Sequence, residues 1–170
     1  SRFEHIAQVS PSDWILRVTA DNPLTDPNLT KMLIEQAKNI NKSQDLISDS
    51  IGKRNFPLGL IPYIIRTSAL LSLRKKISSR EKFHLTHVTS KVSKTKHAKF
   101  KNFDKKHSKF GGARLTLDKF EDYLTISSLV DKLGKNWINC NINKIIKVLN
   151  ANPKILSYNQ HIFQKNLSEN

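Results

Sequence analysis

The sequence predicts a single α/β domain, and two observations carry that prediction. Short runs of β-branched and aliphatic residues are separated by stretches in which apolar residues recur at helical spacing, an order typical of a sheet covered by helices. The chain has 170 residues and 38% hydrophobic content, enough for one buried core but too little for two full domains. We place the domain at residues 1–150 and a polar C-terminal tail at residues 151–170.

The clearest element is a strand over residues 15–20 that ends at Asp21. β-branched and aliphatic residues favour the strand, Asn22-Pro23 ends it, and Asp26-Pro27 is typical of an N-cap followed by proline at the first helical position. In open α/β sheets, ligands bind outside the carboxyl ends of the strands, so Asp21 is a candidate for chemistry. The alternative is that Asp21 only caps a turn.

The other elements follow from periodicity and from turn residues. Helical spacing predicts the end of a helix over 1–9, a helix over 27–40, helices opening at Ser68 and Ser78, a helix from 119 that stops at Gly134, and a last helix from Ile142 to Asn152-Pro153. β-rich runs predict strands at 45–49, at 61–65, where Pro62 suggests an edge or a bulge, in the lysine-rich part, and at 113–117, ending at Asp118. A basic loop is expected over 51–55.

Composition limits the class of protein. A lone Cys140 excludes an internal disulfide framework, and no apolar run is long enough to span a bilayer. No signal peptide is visible, so an intracellular location is the simplest interpretation. The formal net charge is +15, and the segment Lys91–Lys109 holds eight lysines and one acid, about half of that excess.

This charge raises a competing hypothesis, a nucleic-acid-binding module. In the segment Lys91–Lys109, lysines interleave with Phe100, Phe103 and Phe110, a composition that could neutralise a backbone and stack bases. The segment has no arginine and no RNA-binding signature, and a lysine run is usually a solvated face, so we expect nucleic acid not to be a partner. A third class is a non-catalytic scaffold that has kept the fold.

Four blocks of sequence then carry a family resemblance. They are Thr19–Pro27 (TADNPLTDP), Pro57–Leu60 (PLGL), His87–Thr89 (HVT), and Arg114–Asp118 (RLTLD) with Glu121-Asp122. In order and rough spacing the chain resembles the cytidylyltransferases of the spore coat polysaccharide type. These are relatives of the enzymes that activate 3-deoxy-manno-octulosonate and the acylneuraminic acids as CMP-sugars.

The resemblance implies a fold and an activity. The fold is a Rossmann-like nucleotidyltransferase of the nucleotide-diphospho-sugar transferase type, with a mixed, mostly parallel sheet flanked by helices. The activity is a cytoplasmic one, transfer of CMP from CTP to an acidic or amino sugar for surface polysaccharide biosynthesis, with Mg²⁺ as cofactor. CTP and a sugar acceptor are the implied partners and a homodimer is allowed, but the sequence does not name the sugar.

The resemblance also assigns roles to residues. Asp21 and Asp118 match the family positions that carry the metal, and two carboxylates plus substrate phosphates are a usual way to hold Mg²⁺. The alternative for Asp118 is helix capping, because Asp118-x-x-Glu121 before an apolar helix is a capping pattern. We assign no catalytic acid or base, since nucleotidyl transfer mainly needs position and charge.

Four further residues are candidates for substrate binding. Arg17 and Arg114 precede the two acids by four positions, so strand alternation puts each arginine on the face of its aspartate. Their guanidinium groups could contact a phosphate or a sugar carboxylate, or form structural ion pairs. Gly59 suits close backbone approach or positive φ. His87 matches a family block near the sugar site and the subunit interface, although packing is the more frequent role of a helix histidine.

Departures from the family leave activity open. Thr86 stands where the family has glutamate, Tyr63 where it has an acid, and Lys119-Phe120 where it has Thr-Pro. Nothing before Asp21 resembles the family's first strand and Gly-rich phosphate loop, and the chain opens at Ser1. We therefore expect an N-terminally truncated sequence, inactive alone and either poorly soluble or loosely folded because the central strand is missing.

Overall fold

The structure is a computed structural model that describes residues 2–49, 54–73, 96–101 and 105–163. Its strands are β1 (Trp14–Arg17), β2 (Leu46–Ser48), β3 (Tyr63–Arg66) and β4 (His97–Lys99). Its α-helices are α1 (Arg2–Val9), α2 (Pro27–Asn39), α3 (Thr67–Leu73), α4 (Phe120–Leu133) and α5 (Ile142–Ala151). Three 3₁₀ helices span Lys105–Phe110, Trp137–Asn139 and Pro153–Tyr158.

The four described strands form one mixed sheet in the order β1-β3-β2-β4. β3 is antiparallel to both β1 and β2, whereas β2 and β4 are parallel. The α/β class with a mixed, helix-flanked sheet is confirmed, but one described pairing in three is parallel where we expected most to be. β1 and β2 do run in the same direction across the α2 crossover, but β3 lies between them.

Helices cover both faces of this sheet. Ile47 and Ile64 point to the larger core, which buried residues of α2, α4 and α5 complete. The alternate positions Leu46 and Ile65 point to the opposite face, where they pack on α3. The period-two alternation of strand side chains therefore divides the core into two layers.

The strand predicted over 15–20 ends early, at Arg17, so the prediction that it delivers Asp21 at its tip is wrong. Arg17 pairs with Tyr63, the first residue of β3. The residue before Tyr63 is Pro62, which has no N–H to extend the ladder. The suggestion of an edge strand is also wrong, since β3 is flanked on both sides and Pro62 lies just outside it.

No strand forms at 113–117, which is a second correction. Arg114 makes an isolated parallel bridge to Leu58. Two hydrogen bonds make this bridge: the N–H of Leu58 donates to the carbonyl of Ala113 (2.9 Å), and the N–H of Leu115 donates to the carbonyl of Leu58 (2.8 Å). The partner is a turn containing Pro57, and a turn offers no continuous ladder.

The helix boundaries follow their capping residues. Asp26 is the N-cap of α2, with Pro27 at its first position, as predicted. Gly134 ends α4 with φ +77°, also as predicted. Beyond α5, residue Asn152 precedes the 3₁₀ helix Pro153–Tyr158, which packs on α4. The boundary placed at residue 150 stays a prediction, although Ile155 just beyond it is buried.

The described part of the lysine-rich segment belongs to the domain. β4 extends the sheet, and Lys96 forms an ion pair with Asp45 (2.9 Å). Phe100 and Phe110 are buried, so they are not available to stack nucleic-acid bases, and Phe103 lies outside the described residues. Among the described helices, none has the length and apolar character to cross a membrane.

Candidate functional site

Asp21 lies in the turn after β1. Its main-chain carbonyl accepts hydrogen bonds from the N–H of Leu117 (2.8 Å) and from the hydroxyl of Thr116 (3.2 Å). The side chain is half-buried, and its Oδ1 is buried without a hydrogen-bond partner. A buried polar atom normally finds a partner, so this oxygen is poised for a ligand that the protein itself does not supply.

Asp118 is brought to the same place by these contacts, because Leu117 is its immediate neighbour in the chain. Its side chain is 43% exposed, and its Oδ2 accepts a hydrogen bond from Nη2 of Arg114. The segments that carry the two acids predicted to hold the metal are thus hydrogen-bonded to each other, although they are distant in sequence. Hydrogen bonds between the two segments, rather than two neighbouring strand ends in one sheet, produce this arrangement.

Arg114 is buried in a cluster of acids. Its Nε lies 2.9 Å and 3.1 Å from the two carboxylate oxygens of Asp122, which is fully buried. Burial opposes the charged form of Arg114, but the pKa is raised because Asp122 and Asp118 stabilise the cation. Burial likewise opposes ionisation of Asp122, yet its pKa is lowered by Arg114 and by Asn159. Arg114 therefore connects a structural acid to a site acid.

Helix capping falls to Asp122 rather than to Asp118. Oδ2 of Asp122 accepts the N–H groups of Asp118 (3.1 Å) and Lys119 (3.0 Å), and Lys119 is the N-cap residue of α4. The interpretation of Asp118-x-x-Glu121 as the capping pattern is therefore wrong. Since Asp122 supplies the capping acceptor, helix capping does not occupy the carboxylate oxygens of Asp118.

Asn159 is a site-supporting residue that sequence reasoning missed. It is buried, and its Nδ2 donates to the carbonyl of Arg114 (2.9 Å) and to Oδ1 of Asp122 (2.8 Å). It lies in the segment that we interpreted as a polar tail. The available signal was apolar: Ile155 and Leu156 follow Pro153, and Ile155 is indeed buried.

Gly59 meets a structural requirement. Its φ is +99°, and a Cβ placed there would lie 2.4 Å from the carbonyl oxygen of Leu115 and 3.1 Å from Oδ1 of Asn22. Positive φ was one of the two alternatives expected, and the other, close approach of the backbone to a ligand, stays a prediction. The carbonyl that approaches Gly59 is that of Leu115, next to Arg114, so Gly59 keeps the turn at residues 56–60 close to the segment carrying Asp118.

A cavity of about 200 Å³ opens beside the β1–β3 pair. Of the predicted residues it is lined by Arg17 and Gly59, and of the others by Asn22, Arg54 and Tyr63. Because β1 ends at Arg17, strand alternation does not carry its face to Asp21, and that part of the prediction is wrong. Asn22 links the cavity to Asp21, since it lines the cavity and follows Asp21 in the chain.

Two further charged residues line the cavity: Asp49, which was not predicted to do so, and Arg54, which lies in the basic loop expected over 51–55. Asp49 is buried and accepts hydrogen bonds from the N–H groups of Asn55 (2.9 Å) and Phe56 (3.0 Å), and burial raises its pKa. The pKa of Arg54 is lowered, first by burial and then by the charge of Arg114, while Asp49 opposes the shift. Asp49 directly follows β2 and Arg54 lies in an irregular segment, so neither position gave a periodic signal.

The remaining predicted positions divide into two groups. His87 and the departure at Thr86 lie outside the described residues, so their roles stay predictions. Lys119 and Phe120 are exposed at the start of α4, directly after Asp118. The side chain of Phe120 is stacked on that of Tyr123, with ring centroids 6.1 Å apart.

The donor set fits Mg²⁺ in one specific way. Among the described residues, no three His, Cys, Asp or Glu side chains form a group that could hold a metal unaided. Mg²⁺ bound with nucleotides needs fewer protein ligands, because one or two carboxylates are completed by phosphates and water. Asp21 with its unpartnered Oδ1 and Asp118 with its exposed carboxylate lie on hydrogen-bonded segments and supply two such carboxylates. The mixed sheet flanked by helices is the fold class expected of a nucleotidyltransferase.

Two known proteins are similar to this chain in sequence. The chain is 31% identical over 173 residues to an uncharacterized protein of Methanocaldococcus jannaschii, covering 99% of the chain and 66% of that relative. It is 28% identical over 154 residues to the spore coat polysaccharide biosynthesis protein SpsF of Bacillus subtilis, covering 89% of the chain and 61% of SpsF. No protein-family model matches.

A solved structure shows the same fold. The fold matches a cytidylyltransferase from Leptospira borgpetersenii serovar Hardjo-bovis with a TM-score of 0.76 and 24% identity, covering 96% of this chain and 66% of that one. The chain therefore shares its fold with a cytidylyltransferase and resembles SpsF in sequence. It spans about two thirds of the length of the relatives that it matches.

Proposed function

We propose that the whole protein is a cytidylyltransferase that transfers CMP from CTP to a hydroxyl group of an acidic or amino sugar and releases pyrophosphate. The sequence similarity to SpsF, the fold shared with a solved cytidylyltransferase and the two acids support this proposal. SpsF is named for spore coat polysaccharide biosynthesis, which favours a sugar destined for a surface polysaccharide. A cytoplasmic location and a homodimer remain predictions.

In this reaction the acceptor oxygen forms a bond to the α-phosphorus of CTP, and the bond from that phosphorus to the pyrophosphate oxygen breaks. The hydroxyl proton passes to solvent. Mg²⁺ would neutralise charge on the phosphates when bound, and Asp21 and Asp118 would hold it. Arg114 fixes the carboxylate of Asp118, while Asp122 and Asn159 fix Arg114.

One observation carries the proposal. The carboxylate of Asp21 has a buried oxygen without a hydrogen-bond partner, next to the segment that presents Asp118. An uncompensated buried carboxylate oxygen costs folding free energy, so its retention is explained best by a ligand that completes it.

The test is a screen of CTP against candidate sugar acids and amino sugars, with pyrophosphate release as the readout and Mg²⁺ present or omitted. We expect Mg²⁺-dependent release with at least one acceptor. Asp21→Asn should lower turnover by roughly 100-fold or more, because a metal ligand contributes several kcal/mol of charge stabilisation. Asp131→Asn, on the exposed last turn of α4, is the matched control. Full turnover in Asp21→Asn would show that the assigned metal role is wrong.

A further inference from the structure

The two ends of the β1–β3 ladder carry the same pair of residue types in opposite order. At one end Arg66 pairs with Trp14, and at the other Arg17 pairs with Tyr63. In both pairs the guanidinium carbon lies over the aromatic ring, 4.3 Å from the ring centroid for Arg66 and 5.3 Å for Arg17. This internal repetition allows one arginine to serve as the reference for the other.

Arg66 is satisfied by the protein. Its Nε donates to the carbonyl of Gln44 (2.7 Å), its Nη2 donates to the carbonyl of Asn41 (3.4 Å), and the carboxylate of Asp45 lies 3.9 Å from Nε. A cation with main-chain acceptors and a nearby acid is a structural element. No further ligand is needed to explain its position.

Arg17 is not satisfied in this way. Its Nε is buried without a hydrogen-bond partner, although the guanidinium does donate to the hydroxyl oxygen of Tyr63. Burial raises the pKa of Tyr63 despite the nearby charge of Arg17, so the phenol is neutral and does not balance that charge. A buried guanidinium donor without an acceptor carries the full cost of its desolvation.

The other charges of the cavity do not balance Arg17 either. Arg54 is a second cation among the described lining residues. Asp49 is the acid there, but its oxygens already accept from the N–H groups of Asn55 and Phe56 and from the Asn55 amide (3.2 Å). Among the described lining residues, the cavity therefore presents two guanidinium groups and one carboxylate, and that carboxylate already accepts three hydrogen bonds from its own loop.

We propose that this cavity, the Arg17 cavity, binds the anionic group of the acceptor sugar, a carboxylate or a phosphate, through the buried guanidinium of Arg17. The inference rests on the proposed function and extends it to acceptor selection. The volume of about 200 Å³ is smaller than the roughly 300–1,000 Å³ of pockets for drug-sized ligands, so it suits one sugar ring rather than a nucleotide. Asn22 lines the cavity and follows Asp21, which places the sugar beside the metal acids.

Calorimetric titration without divalent cations tests the cavity separately from catalysis. The probes are glucuronate, glucose 6-phosphate, glucose and CTP. At least one of the two sugar anions should bind saturably and about tenfold or more tightly than glucose, because a charged hydrogen bond is worth that much. Equal affinity for glucose and both anions, or no binding of either anion, would overturn the proposal. So would competition by CTP for the same site, because the anion would then belong to the nucleotide.

Variants of the two ladder ends supply the controls. Arg17→Met should weaken anion binding about tenfold or more. Tyr63→Glu should do the same while keeping Arg17, because it places a carboxylate opposite the guanidinium. Arg66→Met removes an equal charge from β3 outside the cavity and should also leave binding unchanged. Unaltered binding in both Arg17→Met and Tyr63→Glu would reject the cavity, and intact binding without cytidylyl transfer would reject only the proposed function.

Discussion

Four aspartates of this domain differ sharply in how their carboxylates are used. Asp26 and Asp122 are fully buried and saturated with hydrogen bonds from the protein. Asp21 has a buried oxygen without a partner, and Asp118 is 43% exposed with Arg114 as its contact. The first pair holds elements together, whereas the second pair leaves coordination capacity open at one place.

The comparison shows why residue type and position in a motif were not enough to assign roles. Asp26 caps α2 through Oδ1 and accepts the N–H of Ile142, the first residue of α5, through Oδ2 (2.5 Å). Asp122 similarly joins the start of α4 to Arg114. In both cases the protein supplies enough donors to make ionisation favourable inside the core. A site for a cation requires the opposite, acceptors that the fold leaves unfilled.

The largest effect should come from breaking the saturated pair at Asp122. Asp122→Ala leaves Arg114 buried without its main partner and should lower the free energy of unfolding by about 3–5 kcal/mol, measured by denaturant titration. The double variant Asp122→Ala, Arg114→Met removes both charges and should recover part of that loss. A double variant less stable than Asp122→Ala would contradict the view that the unpaired cation is the cause.

A smaller loss is expected at Asp26. Asp26→Ala removes the N-cap of α2 and the acceptor at the start of α5, so the free energy of unfolding should fall by about 2–3 kcal/mol, more than for an ordinary single cap. Chemical denaturation measures the change, and Asp131→Ala on the exposed surface of α4 is the control. A loss no larger than that of the control would mean that Asp26 does not join the two helices.

The pH dependence of the free energy of unfolding should show which buried carboxylates the fold stabilises in their ionised form. The folded pKa of Asp122 is lowered below its ordinary value, so its stabilising contribution is complete above the unfolded pKa of about 3.9 and disappears as pH falls through the folded pKa. The stability difference between the unaltered protein and Asp122→Asn should therefore shrink in acid. The pKa of Asp49 is raised by burial, which gives its contribution the opposite sign. A difference that is constant across the acid range would exclude the assigned role of Asp122.

The smallest stability effects should come from the open pair. Asp21→Asn and Asp118→Asn should each change the free energy of unfolding by less than about 1 kcal/mol, since neither carboxylate is saturated by the fold. Thermal or denaturant unfolding checks this result. A loss comparable to that of Asp122→Ala would place these acids among the structural residues.

Much of the fold could be predicted from local chemistry. α2 was located by Asp26-Pro27 and apolar spacing, α4 by periodicity up to Gly134, and α5 by its stop at Asn152-Pro153, and these signals lie within a few residues of the boundary that they set. The two strand errors have a different origin. Whether residues 113–117 join a sheet depends on the partner that folding brings to them, and that partner is a turn.

The site was predictable only as a set of residues. The family resemblance assigned the metal to Asp21 and Asp118. The contacts that join their segments are hydrogen bonds between distant parts of the chain, which no periodicity encodes. Asn159 was missed because a buried amide after a proline looks like any polar tail residue. Arg17 does not share a strand face with Asp21, because β1 ends at Arg17, where Pro62 stops the ladder.

Binding of Mn²⁺ as a spectroscopic substitute for Mg²⁺ tests the central claim most directly. Electron paramagnetic resonance of the whole protein with CTP should show bound Mn²⁺, and Asp21→Asn and Asp118→Asn should each weaken its binding by roughly 10-fold or more, with unfolding unaffected. Asp131→Asn should leave the binding unchanged. Equal Mn²⁺ affinity in the unaltered protein, Asp21→Asn and Asp118→Asn would contradict the account, because neither carboxylate would then be a ligand of the metal ion.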